Sequence, residues 1–260
     1  MPRVDSYETG TPCWVDLSTT DPDDAIRFYT TVFGWGHDVM PTGTGEPYHM
    51  FTKNGAHVAA CMRQIDDVAA ASAPPSWVTY LAGNADEVAA RVPDAGGQVI
   101  APPFDVDGSG RIAIIADPVG AVVGVWQARD HIGAQLVNEP GALTWNEVNT
   151  TDMEVSARFL EQVFGVETSA VPAVESGYKT FEVRGVPSGG ILQMTDEWEG
   201  IPPHWMAYFA VEDTDAACAA VEEAGGKVVA APFDSDFGRM AVVADAQGAV
   251  FMVSSRPDQP

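Results

Sequence analysis

The sequence is poor in basic residues. Its 260 residues include 13 Lys and Arg against 37 Asp and Glu, which gives a formal net charge of −24. A surface this acidic repels phosphate backbones and anionic lipid headgroups. We therefore expect no nucleic-acid partner and no membrane partner.

Cysteines and long apolar runs are also scarce. The three cysteines, Cys13, Cys61 and Cys218, are widely spaced and form no CxxC pair, so neither a disulfide framework nor a thiolate zinc site is expected. Residues 1–10 lack the apolar segment of a secretory signal. No apolar run approaches the roughly 18 residues that a membrane span needs. These absences predict a cytoplasmic protein with reduced thiols.

An internal repeat is the most informative feature that is present. The segment WVDLSTTDPDDAIRFYTTVFGW from Trp14 recurs as WNEVNTTDMEVSARFLEQVFGV from Trp145. Further matching segments follow in the same order, and the last pair is GRIAIIADPVG from Gly110 and GRMAVVADAQG from Gly238. So many shared landmarks in one order indicate a tandem duplication.

The repeat predicts how the chain is divided. We predict a first module over residues 1–127, a linker over 128–141 and a second module over 142–260. The linker is the segment ARDHIGAQLVNEPG, which has no counterpart within either copy.

Each copy shows the same sequence of predicted elements. A short alternating strand leads to Thr20-Asp21, a helix N-cap signal, and an amphipathic pattern then continues to Gly34. Asn54-Gly55 predicts a tight hairpin, and a second helix over 86–92 precedes the closing strands. The predicted fold class is α+β, with two tandem βαβββ modules, each with an extra helix, that form curved, mostly antiparallel, cup-shaped sheets.

This duplicated pattern resembles the vicinal oxygen chelate superfamily, which includes glyoxalase I, bleomycin-resistance proteins and extradiol dioxygenases. The resemblance rests on TTD…FYTTVFGW after the first strand and on DPxG before the last one, and it covers nearly the whole chain. It implies sheets that curl into cups. It also implies that metal-using members carry His, Gln or Glu ligands on the first, middle and last strands.

The ligand positions implied by this resemblance hold no His, Asp, Glu, Gln or Cys, and they offer two methionine thioethers at best. They fall on Trp14, Val78, Gly124, Trp145, Met206 and Met252. A catalytic zinc or iron needs about three imidazole, carboxylate or thiolate ligands. We therefore expect no metal and no other cofactor.

Strand alternation places bulky side chains on the face where metal ligands would stand. The predicted ligand-binding residues are Trp14, Tyr80, Trp126, Trp145, Asn149, His204, Met206, Tyr208 and Met252. Aromatic rings and thioethers suit a flat, largely apolar small molecule, and Gly124 is expected to leave room for it. The alternative is that the same aromatics fill each cup as a core.

Two acidic residues, Asp16 and Glu147, alternate onto this same face. An apolar core does not hold an unpaired charge. Either the face is hydrated, as a binding cup is, or each acid has a hidden partner such as Arg111, Arg239 or a backbone N–H. Arg111 and Arg239 occur at matching positions, six and five residues after Asp105 and Asp234. Each arginine could form a structural bridge to that Asp or bind an acidic group of a ligand.

Three functional hypotheses follow. The first is metal-independent binding or sequestration of a flat aromatic natural product or antibiotic, in a biosynthetic or self-resistance pathway, as the resemblance to bleomycin-resistance proteins implies. The second is a cofactor-free acid/base enzyme (an isomerase, cyclase, lyase or hydroxylase step) that uses Asp16 or Glu147 as the candidate catalytic residue. A metal-dependent glyoxalase or dioxygenase is a third. The number of working cups stays open, and both a monomer and a homodimer are compatible with the sequence.

Overall fold

The computed structural model describes residues 3–42, 45–64, 73–171 and 177–255. The strands of the first module are β1 (Pro12–Thr19), β2 (Gly36–Met40), β3 (Tyr48–Lys53), β4 (Ala56–Arg63), β5 (Ser76–Ala82), β6 (Gln98–Val106), β7 (Gly110–Ala116) and β8 (Val122–Ala128). Those of the second are β9 (Leu143–Thr150), β10 (Glu167–Ala170), β11 (Tyr178–Val183), β12 (Val186–Gln193), β13 (His204–Ala210), β14 (Lys227–Ser235), β15 (Gly238–Ala244) and β16 (Val250–Ser255).

The helices repeat in the same way. They are α1 (Pro22–Phe33), α2 (Ala85–Arg91), α3 (Met153–Phe164), α4 (Thr214–Glu223) and a 3₁₀ turn at Asp196–Trp198. Among the described residues, no helix has both the length and the apolar character that crossing a membrane requires.

Each module forms one mixed, eight-stranded sheet. The strand order is β2-β3-β4-β1-β5-β8-β7-β6, and the second sheet repeats it as β10-β11-β12-β9-β13-β16-β15-β14. Among the named strands of the described residues, the parallel pairs are β1–β4, β5–β8, β9–β12 and β13–β16, and the other paired strands are antiparallel. The predicted α+β class and mostly antiparallel sheets are confirmed. The helix that the sequence suggested as an extra element belongs to a second βαβββ unit, so each sheet is assembled from two such units.

The first helix of each module starts and ends where the sequence indicates. Asp21 caps α1 by accepting a hydrogen bond from the Asp24 N–H, and Gly34 ends the helix at a φ of 65°. In the second module Asp152 and Gly165 have the same roles. An acidic N-cap satisfies free N–H groups, and glycine adopts the left-handed conformation without strain. The repeated sequence therefore produces the same local structure twice.

Each helix packs on the sheet of its own module, and the first helix of each module also contacts the second helix of the other module. The Tyr29 hydroxyl in α1 donates to the Asp245 carboxylate at 3.1 Å, and the Ser156 hydroxyl in α3 donates to the Asp117 carboxylate at 2.6 Å. Two apolar cores, each with residues from both modules, surround these contacts. The helix-covered face of each sheet is therefore internal, and the other face is the concave one that could hold a ligand.

Candidate functional site

In the first module, four polar and aromatic side chains on the concave face form one hydrogen-bonded chain. Trp14 Nε1 donates to the Tyr48 hydroxyl at 2.9 Å, and Tyr48 donates to Asp16 Oδ2 at 3.1 Å. Tyr80 donates to the same Oδ2 at 3.0 Å. The hidden partner of Asp16 is therefore a pair of phenols and neither an arginine nor a backbone N–H.

The second module repeats this arrangement. Trp145 Nε1 donates to the Tyr178 hydroxyl at 3.0 Å, and the hydroxyls of Tyr178 and Tyr208 both hydrogen-bond to Glu147. Gly190 lies beside Glu147 in the sheet, and a Cβ there would come within 2.2 Å of the Tyr178 hydroxyl. The absence of a side chain at Gly190 thus leaves room for Glu147 and for the Tyr178 hydroxyl beside it.

Sequence reasoning missed the second tyrosine of each group. Tyr48 and Tyr178 occupy matching positions at the start of β3 and β11. Because the two tyrosines match in the repeat, their positions together with strand alternation could have placed both on the concave faces. No short motif marks them, because their partners are far away in the chain.

Burial changes the protonation of both acids. It raises the pKa of Asp16 to about 6 and that of Glu147 to about 7, against the opposing effect of the two phenol hydrogen bonds in each case. Burial likewise raises the pKa of Tyr208 well above 10, with the nearby Glu147 charge adding to the effect. Glu147 can therefore hold or release a proton close to neutral pH, while the phenols stay protonated and donate.

The concave face of the first module is closed by the chain itself. The His131 ring lies 4.6 Å from the Trp14 ring in an edge-to-face contact, and Trp126 Nε1 donates to the His131 carbonyl at 2.8 Å. Ala134 continues along the sheet, with its N–H bonded to the Cys13 carbonyl. Trp14 is only 2% exposed. The segment after β8 thus fills the first cup as a core.

Gly124 does not leave room for a ligand, contrary to the expectation from the sequence. A Cβ at this position would lie 2.1 Å from Cδ1 of Tyr80. The aromatic ring of Tyr80 occupies the space over the glycine backbone. Gly124 is required by this packing and not by an open pocket.

Over residues 3–42, 45–64, 73–171 and 177–255, no segment closes the concave face of the second module as the segment after β8 closes that of the first. The concave face of the second module lines a cavity of about 2190 Å³, which continues to Ser76 and Val78 of the central strand β5 in the first module. Trp145 is half-buried, unlike the fully packed Trp14. Ser254 stands at the position that corresponds to Trp126, as its pairing in the sheet shows. The cavity exceeds the usual 300–1,000 Å³ of small-molecule sites, so a polycyclic molecule fits.

The predicted ligand-binding residues therefore separate into two groups. Trp14, Tyr80 and Trp126 belong to the closed cluster of the first module. The cavity of the second module is lined by Trp145, Asn149, His204, Met206, Tyr208 and Met252, together with the candidate acid Glu147. Asp16, the other candidate acid, is buried under the closed face.

Arg111 and Arg239 form structural bridges outside the cavity. Arg111 bonds to Asp86 and Asp105, with N···O distances of 2.8 and 3.0 Å. Arg239 makes the equivalent pairs with Asp215 and Asp234. Each arginine ties the second helix of its module to the β6–β7 or β14–β15 hairpin, and neither lines the cavity.

The donor set of the concave faces does not fit a divalent metal. The positions equivalent to metal ligands in the second cup hold Trp145, Met206 and Met252, and those in the first hold Trp14, Val78 and Gly124. Over the described ranges of the chain, no three His, Cys, Asp or Glu residues are grouped so that they could hold a metal ion. Glu147 is a single carboxylate held by two phenols, whereas zinc and iron sites need about three such ligands.

The two eight-stranded sheets match a known protein family. A family model described as the glyoxalase/bleomycin resistance protein/dioxygenase superfamily matches residues 12–125 and 131–253. The chain belongs to this superfamily. The two matched stretches correspond to the two sheets.

Two relatives span almost the whole chain. The protein CFP32 of Mycobacterium tuberculosis, provisionally described as a glyoxylase, is 44% identical over 257 residues, which cover 97% of each protein. The anthracycline biosynthesis protein DauV of Streptomyces sp. strain C5 is 33% identical over 258 residues, which cover 95% of this chain and 94% of the relative.

Solved structures share the fold at low identity. A Mn(II)-bound glyoxalase from Novosphingobium aromaticivorans superimposes with a TM-score of 0.66 at 17% identity, covering 95% of this chain and 82% of that one. The 2,3-dioxygenase LapB from Pseudomonas sp. KL28 gives 0.65 at 14% identity, covering 98% and 95%. At these identities the likeness shows the fold alone.

The raised pKa of Asp16 predicts how stability depends on pH. A carboxyl whose pKa is higher in the folded state, about 6 against 3.8, binds its proton more tightly there, so stability falls as pH rises from about 4 to 6. The displacement corresponds to roughly 3 kcal/mol. Asp16→Asn removes this carboxyl. Between pH 4 and pH 8 the variant should therefore lose less unfolding free energy than the unsubstituted protein, by about this amount, as measured by urea denaturation. Equal pH dependence in the variant and the unsubstituted protein would contradict the assignment.

Proposed function

We propose that the second module binds a flat aromatic small molecule of the natural-product type without a metal, and that the first module serves as its scaffold. One observation supports this above all: of two matching concave faces, the second forms an open, aromatic-lined cavity and the first is filled by the linker. Rigid aromatic walls bind flat rings with little loss of entropy, and Met206 and Met252 adapt to an irregular outline.

The description of one relative supports an aromatic natural product as the type of ligand. A relative with 33% identity across the whole chain is an anthracycline biosynthesis protein. The proposed ligand for this chain is an aromatic polyketide or a molecule of similar shape, bound in a biosynthetic or self-resistance setting. Binding in this cavity needs no metal, because stacking and apolar contacts supply the affinity.

Fluorescence titration tests the proposal. A hydroxyanthraquinone is added to the protein, and quenching of the tryptophan emission is followed with EDTA and, separately, with added Zn²⁺ or Mn²⁺. We expect saturable one-to-one binding with the same Kd in all three conditions. Binding that disappears in EDTA, or binding that is never saturable, would refute the proposal.

A matched pair of variants locates the site. Trp145→Phe shortens a wall of the cavity and removes the hydrogen bond to Tyr178, so we expect about a fivefold weaker Kd, or roughly 1 kcal/mol. Trp14→Phe is the same substitution in the closed first cup and should leave the Kd unchanged. If Trp14→Phe weakens binding and Trp145→Phe does not, the site lies in the first module and the proposal is contradicted.

An acid/base step on the bound molecule is a second candidate function, favoured by the surroundings of Glu147. Its carboxylate can accept a proton from a C–H next to a ketone. The Tyr208 hydroxyl, whose single hydrogen is donated to Glu147 before this step, then turns to donate to the resulting enolate oxygen. Return of the proton from the Glu147 carboxyl to carbon completes the exchange with no net change. A base with a pKa near 7 is matched to this task.

Hydrogen–deuterium exchange separates binding from this chemistry. A hydroxylated tetralone is incubated with the protein in D₂O, and loss of the C–H signal is followed by NMR. We expect Glu147→Gln to reduce the exchange rate at least a hundredfold while the ligand still binds, and Asp16→Asn to leave the rate unchanged. An exchange rate equal to that without protein would limit the function to binding.

A further inference from the structure

One half of the second-module cup is lined by apolar side chains. This apolar half consists of β13, β16, β15 and β14, and its concave face carries a cluster of Met206, Met240, Val242 and Met252. Met252 pairs in the sheet with Val242 on one side and with Tyr208, whose hydroxyl is bonded to Glu147, on the other. The serine and histidine side chains of this half that line the cavity lie at or near the strand ends. A ligand edge that lies against the apolar half therefore meets hydrocarbon and thioether groups.

The other half of the cup, formed by β9, β12, β11 and β10, carries polar side chains. Glu147 and Tyr178 bond to each other in this polar half. Thr180 and Glu182 follow Tyr178 at alternate positions of β11, and all three line the cavity. Thr180 is half-buried, and its hydroxyl has no hydrogen-bond partner in the described part of the chain. The polar half therefore offers a ligand a hydrogen-bonding group that the described chain does not use.

The cup of the first module lacks this division. Met50 matches Thr180, because both residues occupy the third position of their strands. Met50 is buried and belongs, with the partly buried Ile112 and Ile114, to the apolar cluster under the linker. Both halves of the closed cup are thus apolar at these positions, and that cup holds only its own chain. Folding alone therefore does not account for the polar half of the second cup.

We infer that the ligand of the second cup is a flat ring system whose hydroxyl groups lie along one long edge and whose opposite edge carries none. A flat molecule that lies on the central strands β9 and β13 presents one long edge to each half of the cup. A hydroxyl on the first edge can bond to Thr180 or Glu182. A hydroxyl against Met240 and Met252 loses its hydrogen bonds to water without replacement. The inference rests on the proposed function, because it concerns the same cavity and specifies its ligand class.

Two isomers with the same rings and the same number of hydroxyls test this inference by isothermal titration calorimetry. In 1,8-dihydroxyanthraquinone, the same-edge isomer, both hydroxyls lie on one long edge. In 1,5-dihydroxyanthraquinone, the split isomer, each long edge carries one, so one hydroxyl faces the apolar half whichever way the molecule enters. We expect the same-edge isomer to bind about tenfold more tightly, or roughly 1.4 kcal/mol. Unsubstituted anthraquinone is the reference for stacking alone.

Variants assign the preference to the two halves. Thr180→Val removes the hydroxyl at similar volume, so we expect about threefold weaker binding of the same-edge isomer and an unchanged Kd for unsubstituted anthraquinone. Met240→Gln adds a hydrogen-bonding group to the apolar half and should make the split isomer bind about threefold more tightly. Thr52→Val is the control, because it removes the same hydroxyl from a half-buried position of the first module that does not line the cavity. It should change no Kd.

The possible results separate this inference from the proposed function. If the two isomers bind equally well, or if the split isomer binds more tightly, the inference is wrong while the aromatic cavity stands. If Thr180→Val leaves the Kd of the same-edge isomer unchanged and Met240→Gln leaves that of the split isomer unchanged, the assignment to the two halves is wrong. If none of the three anthraquinones binds, the proposed function itself fails.

Discussion

Ser254→Trp is expected to abolish ligand binding, with a Kd at least a hundredfold weaker, while the protein stays folded. Ser254 lines the open cavity and pairs in the sheet with Ala210 and Met240. The corresponding residue of the first module is Trp126, which pairs with Ala82 and Ile112 and closes that cup. The substitution therefore copies into the second module the side chain that fills the first.

Isothermal titration calorimetry with the hydroxyanthraquinone measures this effect, and far-UV circular dichroism checks the fold. Ser254→Ala is the control, because it changes the same position without adding volume, and its Kd should stay within twofold. A Ser254→Trp protein that is folded and still binds with the original Kd would show that the ligand lies elsewhere.

Trp126→Ala is expected to have the largest effect on stability, a loss of about 3–5 kcal/mol in the free energy of unfolding. Trp126 is 7% exposed, its ring lies 5.6 Å from the His131 ring, and its Nε1 donates to the His131 carbonyl. Removal of the ring leaves a cavity and also releases the linker segment that closes the first cup.

Urea denaturation followed by circular dichroism gives the stability change. Trp126→Phe retains most of the packing and loses only the N–H donor, so a smaller loss of about 1–2 kcal/mol is expected. Ligand binding by the folded protein should be unchanged in both variants, because the residue does not line the cavity. Full stability of Trp126→Ala, or loss of binding in Trp126→Phe, would contradict the division of roles between the modules.

The local structure was predictable because its signals are short-range. The Asp21 cap, the Gly34 stop and the Asn54-Gly55 hairpin each depend on neighbouring residues, and all three are present in the structure. The repeat carried the same predictions to the second module. Strands β2 and β10 were missed because they are short and mostly exposed, so they lack the alternating apolar pattern that marks a half-buried strand.

The candidate site was predictable only in part. Strand alternation placed Asp16 and Glu147 on the concave faces, and the structure shows both there. It could not show that each acid is held by two phenols, because Tyr48 and Tyr178 come from strands distant in the chain. The raised pKa values of Asp16 and Glu147 result from the burial of both carboxyls in the folded protein, so the residue types alone could not predict them.

The sequence by itself determined the duplication, the fold class and the residues available on each concave face, since these depend on periodicity and local propensity. Only the tertiary structure decided that one face is a core and the other a cavity. Trp14 and Trp145 have equivalent positions and nearly equivalent neighbours. What separates them is the path of the segment through His131 and Ala134, which crosses the first sheet and excludes solvent from it. Such a long-range contact is set by how the chain folds back on itself, and no pattern within either repeat encodes it.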